Sequence, residues 1–73
     1  MPKLPRNISQ ERVVRALVRA GGIEVKGVGK GSHRAVEMPN GHTAIVSRKV
    51  KPGLLSGVLK SADVTLDEFL RYL

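Results

Sequence analysis

A chain of 73 residues has room for one domain with a small core, so residues 1–73 are treated as a single domain. Thirteen lysines and arginines against six acids give a formal net charge of +7, which favours a polyanionic partner such as nucleic acid, anionic lipid or an acidic protein. The chain has no cysteine and no cluster of histidines and acids at metal-ligand spacing, so no metal or cofactor is expected. It also has no signal-peptide core and no apolar run of about 20 residues. The sequence therefore predicts a cytoplasmic protein without a membrane segment.

The chain is predicted to begin with an irregular arm over residues 1–8, followed by a helix over about residues 10–20. Ser9 is a suitable N-cap, and Gly21 and Gly22 are suited to end the helix. Helical spacing puts the apolar residues on one face: Val13, Val14, Leu17, Val18, Ala20 and Gly21. The opposite face carries Arg12, Arg15 and Arg19. This face is either a solvated exterior or a ridge that follows phosphates or docks a partner.

Three strands and two turns are predicted next. Alternating apolar and polar residues indicate a strand over 23–28, and a glycine-lysine-glycine turn follows over 29–31. A second strand is predicted over 32–38 and a third over 42–47. The turn between these two is Pro39-Asn40-Gly41, a combination typical of a three-residue hairpin loop.

That loop predicts the register of the hairpin. With residues 39–41 as the loop, the facing pairs on one side are Met38 with His42, Val36 with Ala44, and Arg34 with Val46. This side carries most of the apolar residues, so it is expected to face the core. His33 then lies opposite Ser47 on the open side, close to Arg48 and Lys49. A slip of one residue would reverse the two faces.

Two helices are predicted after a basic segment at residues 48–51. Pro52 suits the first turn of the first of them, whose apolar face contains Leu54, Leu55, Val58, Leu59 and Ala62. A capping box from Thr65 to Glu68 opens a last short helix, with an apolar stripe of Leu66, Phe69, Leu70 and Leu73. The predicted fold class is therefore α+β: a three-stranded antiparallel sheet with helices packed on one face, in the order α-β-β-β-α, and a short extra C-terminal helix. This is the plan of a double-stranded-RNA-binding domain.

His33 is the candidate catalytic residue. Cleavage of RNA by its own 2′-hydroxyl needs proton transfer, for which histidine is suited because its unperturbed pKa is about 6.5. Positive charge near the phosphorus is also needed, and the candidate RNA contacts are Lys30, Ser32, Arg34, Arg48 and Lys49. The alternatives are that these residues only bind phosphate, that Ser32 belongs to local turn chemistry, and that His33 is an exposed histidine without a role.

The remaining residues limit how RNA would be recognised. His42 follows the turn at the far end of the hairpin and is predicted to be a surface residue. Phe69 and Tyr72 are the only aromatic residues, so the base-stacking platforms of single-strand binders are missing. Recognition is expected to rest on backbone charge, the 2′-hydroxyl and shape, with modest sequence selectivity.

Over about residues 9–70 the chain resembles the HicA toxins, small RNA-cleaving proteins of toxin–antitoxin pairs. The resemblance rests on the helix ending in Ala20-Gly21, on Lys30-Gly31-Ser32-His33, on the turn at residues 39–41 and on the glycine-leucine segment at residues 52–60. It implies a fold like that of double-stranded-RNA-binding domains, metal-independent cleavage of mRNA with His33 as general acid/base, and inhibition by an acidic HicB-like antitoxin. The chain departs from the family at residues 47–49, where Ser47-Arg48-Lys49 replaces a usual proline and histidine.

Two other functions are compatible with the same residues. The first is a non-catalytic RNA-binding module of the same fold, because only one histidine is well placed. The second is a protein-docking domain whose basic surface binds an acidic partner. The sequence leaves open the target RNA, the oligomeric state of the chain alone and the second proton-transfer group, whereas a hetero-oligomer with an antitoxin is expected from the resemblance.

Overall fold

The computed structural model describes residues 8–25 and 33–73. Within them the chain has an α+β fold with a three-stranded antiparallel sheet of order β2-β3-β4, as predicted, and a separate two-stranded ladder of β1 and β5. The elements are β1 (Ile8–Ser9), α1 (Gln10–Arg19), β2 (Ile23–Val25), β3 (Arg34–Glu37), β4 (Thr43–Val46), β5 (Lys49–Val50), α2 (Pro52–Ala62) and α3 (Leu66–Tyr72). The predicted turn at 29–31 and the end of the preceding strand lie outside the described residues.

The ends of α1 follow the predicted capping. The Ser9 hydroxyl accepts a hydrogen bond from the backbone N–H of Arg12 at 3.2 Å, so one of the unpaired donors at the helix start is satisfied. After α1, Gly21 has a φ of +107°, a conformation that glycine adopts without strain. The chain therefore leaves the helix sharply and enters β2 two residues later.

The predicted register of the hairpin between β3 and β4 is confirmed. Arg34 pairs with Val46, Ala35 with Ile45, Val36 with Ala44, and Glu37 with Thr43. At the loop, the Met38 N–H donates to the His42 carbonyl at 2.8 Å and the Gly41 N–H donates to the Met38 carbonyl at 2.9 Å. The two faces of the sheet are therefore those that the loop residues predict.

The core lies between one face of the sheet and the helices. Apolar side chains of every element except β2 contribute to it, and Phe69, Leu17 and Leu55 are among the largest that are fully buried. Two residues predicted on the apolar helix faces are at the edges of those faces instead: Val18 is 42% exposed and Leu54 is 40% exposed. The true core stripe of α2 is Leu55, Val58, Leu59 and Ala62, a narrower set at helical spacing.

The prediction of an irregular arm over residues 1–8 is wrong at its last residue. Ile8 pairs with Val50 and Ser9 with Lys49, and the side chains of Ile8 and Val50 are buried. A two-residue strand gives no periodicity, so this pairing has no signal in the sequence. Its effect is to tie the start of α1 to the basic segment that leads into α2.

The helices of the described part of the chain are short. Among them no helix combines the length and the apolar character that crossing a bilayer requires.

Candidate functional site

His33 is exposed and directly precedes β3. Alternation along an extended strand puts His33 on the same face as Ala35 and Glu37, opposite to Val36. On this face Glu37 is exposed, whereas Ala35 is as fully buried as Val36. That face, hereafter the open face, is the side of the sheet away from the core. The imidazole is therefore exposed at the surface of the protein.

The basic segment after β4 lies at the same end of the hairpin as His33. The last ladder pair is Arg34 with Val46, so His33 and Ser47 occupy the next positions along the two strands. The Ser47 hydroxyl donates to the Lys49 carbonyl at 3.0 Å, which fixes the short connection between β4 and β5. Arg48 and Lys49 are both exposed. His33 and the segment that carries Arg48 and Lys49 therefore lie at the same end of the hairpin.

Arg34 has a different position, on the core side of the sheet. Its Nε and Nη2 donate to the two carboxylate oxygens of Glu24 on β2, at 2.7 and 2.8 Å. This hydrogen bonding to Glu24, together with the negative charge of that carboxylate, raises the pKa of the Arg34 guanidinium above its ordinary value. The pair lies beside Val14 and Val18 of α1, at a surface concavity of about 260 Å³. Sequence reasoning missed this pair, which is a diagonal contact across the ladder, since Glu24 faces Val36 rather than Arg34.

The assignment of Arg34 as an RNA contact stays a prediction. The two bonds to Glu24 use two of the five N–H donors of the guanidinium, so further donors remain for a phosphate oxygen. Such a phosphate would approach from the helix side of the sheet, whereas His33 lies on the open face. Lys30 and Ser32, the other predicted contacts before the strand, lie outside the described residues.

His42 is remote from His33. It is exposed in the loop region, where its backbone N–H donates to the Asn40 side-chain oxygen at 2.9 Å. His42 lies across from Met38, five residues along the strand from His33, which at 3.4 Å per residue corresponds to about 17 Å. The two histidines are therefore too far apart to act on the same phosphodiester.

The open face is apolar rather than basic. Ile23 on β2 is 72% exposed and Ile45 on β4 is 42% exposed, and Ile45 borders a groove of about 350 Å³ that also contacts Leu54 and Gly57 of α2. Exposed apolar patches of this kind often mark protein interfaces. Sequence reasoning overlooked the patch, although its signal was present: four of the six odd-numbered positions of β2, β3 and β4 are apolar, and the other two are Glu37 and Thr43.

Comparison with known proteins does not assign a family or a function to this chain. No family model matches the chain, and no curated protein matches its sequence significantly. In the two described ranges, no three histidine, cysteine or acidic side chains lie together in a group that could hold a metal ion.

Proposed function

We propose that this protein is a HicA-like toxin, an endoribonuclease that cleaves mRNA without a metal ion and uses His33 as general acid/base. The observation that supports the proposal most is the exposure of His33 at the end of the hairpin from which Arg48 and Lys49 emerge. An accessible imidazole beside fixed positive charge is what cleavage of a phosphodiester by proton transfer requires.

In the proposed reaction the 2′-hydroxyl of the RNA loses its proton and attacks the adjacent phosphorus. The bond from phosphorus to the 5′-oxygen breaks, that oxygen takes up a proton, and the products are a 2′,3′-cyclic phosphate and a 5′-hydroxyl. His33 carries out one of the two proton transfers, and water or the substrate carries out the other. Arg48 and Lys49 stabilise the charge on the phosphorane, while Lys30, Ser32 and Arg34 are further predicted RNA contacts.

The proposed regulator is an acidic HicB-like antitoxin that binds the open face in the cytoplasm and forms a hetero-oligomer with the toxin. Its support is the exposed apolar surface of Ile23 and Ile45 on the face where His33 lies. A protein interface usually has such an apolar centre within a polar rim. The proposal predicts growth arrest when the chain is expressed alone and rescue by an acidic protein encoded in the neighbouring reading frame.

The proposed reaction is tested by comparing two substrates. Labelled RNA and the same oligonucleotide with 2′-deoxy sugars are incubated with the purified chain in a chelator such as EDTA. The proposal predicts that only the RNA is cut and that its fragments end in cyclic phosphate. Cleavage of the 2′-deoxy oligonucleotide, or loss of RNA cleavage in the chelator, would exclude this mechanism.

The alternative function is a non-catalytic RNA-binding module. The observation that favours it is the separation of the two histidines, which leaves the proposed acid–base pair with one protein member. A module of this kind would bind RNA in a salt-dependent way, because neutralised phosphates release counterions, and would leave the RNA intact. The cleavage assay above separates the two functions.

A further inference from the structure

The exterior of α1 carries a strongly basic surface that the proposed reaction does not use. Arg12, Arg15 and Arg19, hereafter the arginine face, are all exposed. Their spacing of three and four residues places them on one side of the helix over about 10 Å of its length. Together with Tyr72 and Leu73 at the end of the chain they line a surface concavity of about 250 Å³.

The contacts of this face hold the guanidinium groups without neutralising the surface. The Arg19 Nη1 donates to the Tyr72 carbonyl at 2.9 Å, an acceptor that carries no formal charge. Arg15 bonds to the Glu11 carboxylate at 3.1 Å, but the two side chains are 60% and 69% exposed. An ion pair so exposed is weak, so a phosphate can replace the carboxylate at little cost.

The lining indicates a phosphate chain rather than a protein as the partner. Interfaces between proteins are depleted of charge at their centre, whereas interfaces with nucleic acid are polar and positively charged. The described lining of this concavity is three arginines and the end of α3, while the exposed isoleucines lie on the open face of the sheet. A guanidinium also matches two phosphate oxygens with two parallel hydrogen bonds.

We propose that the arginine face is a second contact for the phosphate backbone of the RNA, separate from the cleavage site. The stripe of about 10 Å is long enough to face more than one phosphate of a strand. Arg15 also borders the concavity beside Arg34 at the start of β3, on the side of the sheet opposite to His33. The inference rests on RNA being the substrate of the proposed function, and it assigns the arginine face to binding rather than to chemistry.

The test is the salt dependence of RNA binding. Fluorescence anisotropy measures the affinity of the full chain for a labelled 2′-O-methyl RNA oligonucleotide, which lacks the attacking hydroxyl and stays intact. A phosphate contact to a single strand contributes about 0.7 to the slope of log K against log salt concentration. We expect Arg12→Gln to lower the slope by about 0.7, and Arg12→Gln combined with Arg15→Gln to lower it by about 1.4.

Lys60→Gln is the matched control, because it removes one exposed positive charge from the exterior of α2. Its slope should equal that of the wild type, and circular dichroism should show that every variant is folded. Equal slopes for wild type and the double variant would overturn the inference. An equal loss of binding to poly-glutamate, a polyanion without phosphate, would also overturn it. The proposed function is tested by a separate measurement, the cleavage of unmodified RNA by the wild type.

Discussion

At the scale of single residues, Gly22 has the tightest surroundings among the glycines that the structure describes. A Cβ atom at this position would lie 2.6 Å from Val36 Cγ1, 2.7 Å from Met38 Sδ and 2.9 Å from the Leu17 carbonyl oxygen. The Gly22 N–H donates to that same carbonyl at 3.0 Å, so the backbone cannot move away without losing the bond. Glycine is therefore required here by the close approach of α1 to β3.

Gly22→Ala should lower the free energy of unfolding by about 1–3 kcal/mol, because an overpacked core must shift its neighbours. Gly57→Ala is the control, since an added Cβ inside α2 meets nothing within 4 Å. It should raise stability by about 0.5–1 kcal/mol through better helix propensity. Urea denaturation of the two variants measures both effects. Equal stability of Gly22→Ala and the wild type would contradict the packing described here.

The ion pair of Arg34 and Glu24 gives a second prediction at this scale. Its side chains are 35% and 28% exposed, compared with 60% and 69% for Arg15 and Glu11. Solvent screening weakens the interaction energy of both pairs. The bidentate geometry and lower exposure of the Arg34 pair should nevertheless leave it the stronger one. Double-mutant cycles with glutamine replacements should give a coupling of about 1 kcal/mol for Arg34 with Glu24 and about 0.3 kcal/mol for Arg15 with Glu11. The reverse order would contradict this assignment.

At the scale of elements, capping and turn residues are the features that the sequence predicts best. Pro39-Asn40-Gly41 predicts both the loop and the register of the hairpin, because turn geometry and period-two alternation agree. The N-cap residues Ser9 and Thr65 predict the starts of α1 and α3. The ladder of β1 with β5 could not be predicted, because two residues carry no period and their partners are 42 and 40 positions away.

The cap of α1 can be tested through Ser9. Ser9→Ala removes the hydroxyl that accepts from the Arg12 N–H and should cost about 1 kcal/mol of stability. Ser56→Ala is the matched control, because Ser56 is exposed within α2 and alanine is the better helix former. Thermal unfolding followed by circular dichroism should show a lower melting temperature for the first variant alone. Equal melting temperatures for both would contradict the capping role.

At the scale of the whole molecule, two surfaces differ in chemistry. The open face combines His33 with exposed isoleucines, whereas the arginine face is basic. The exposure of His33 and its distance from His42 could be predicted, because both follow from the hairpin register. The pairing of Arg34 with Glu24 was not predicted, although a three-residue turn at 29–31 agrees with the observed register, in which Glu24 faces Val36 and lies diagonally to Arg34.

The most direct test of the account is the rate of RNA cleavage at saturating protein, under single-turnover conditions and in EDTA. Loss of a general acid or base typically slows a reaction about 10²–10⁴-fold, so His33→Ala should fall in that range while its RNA affinity is unchanged. His42→Ala, which changes the remote histidine, should cleave at the wild-type rate. A rate constant for His33→Ala equal to that of the wild type would contradict the catalytic role of His33.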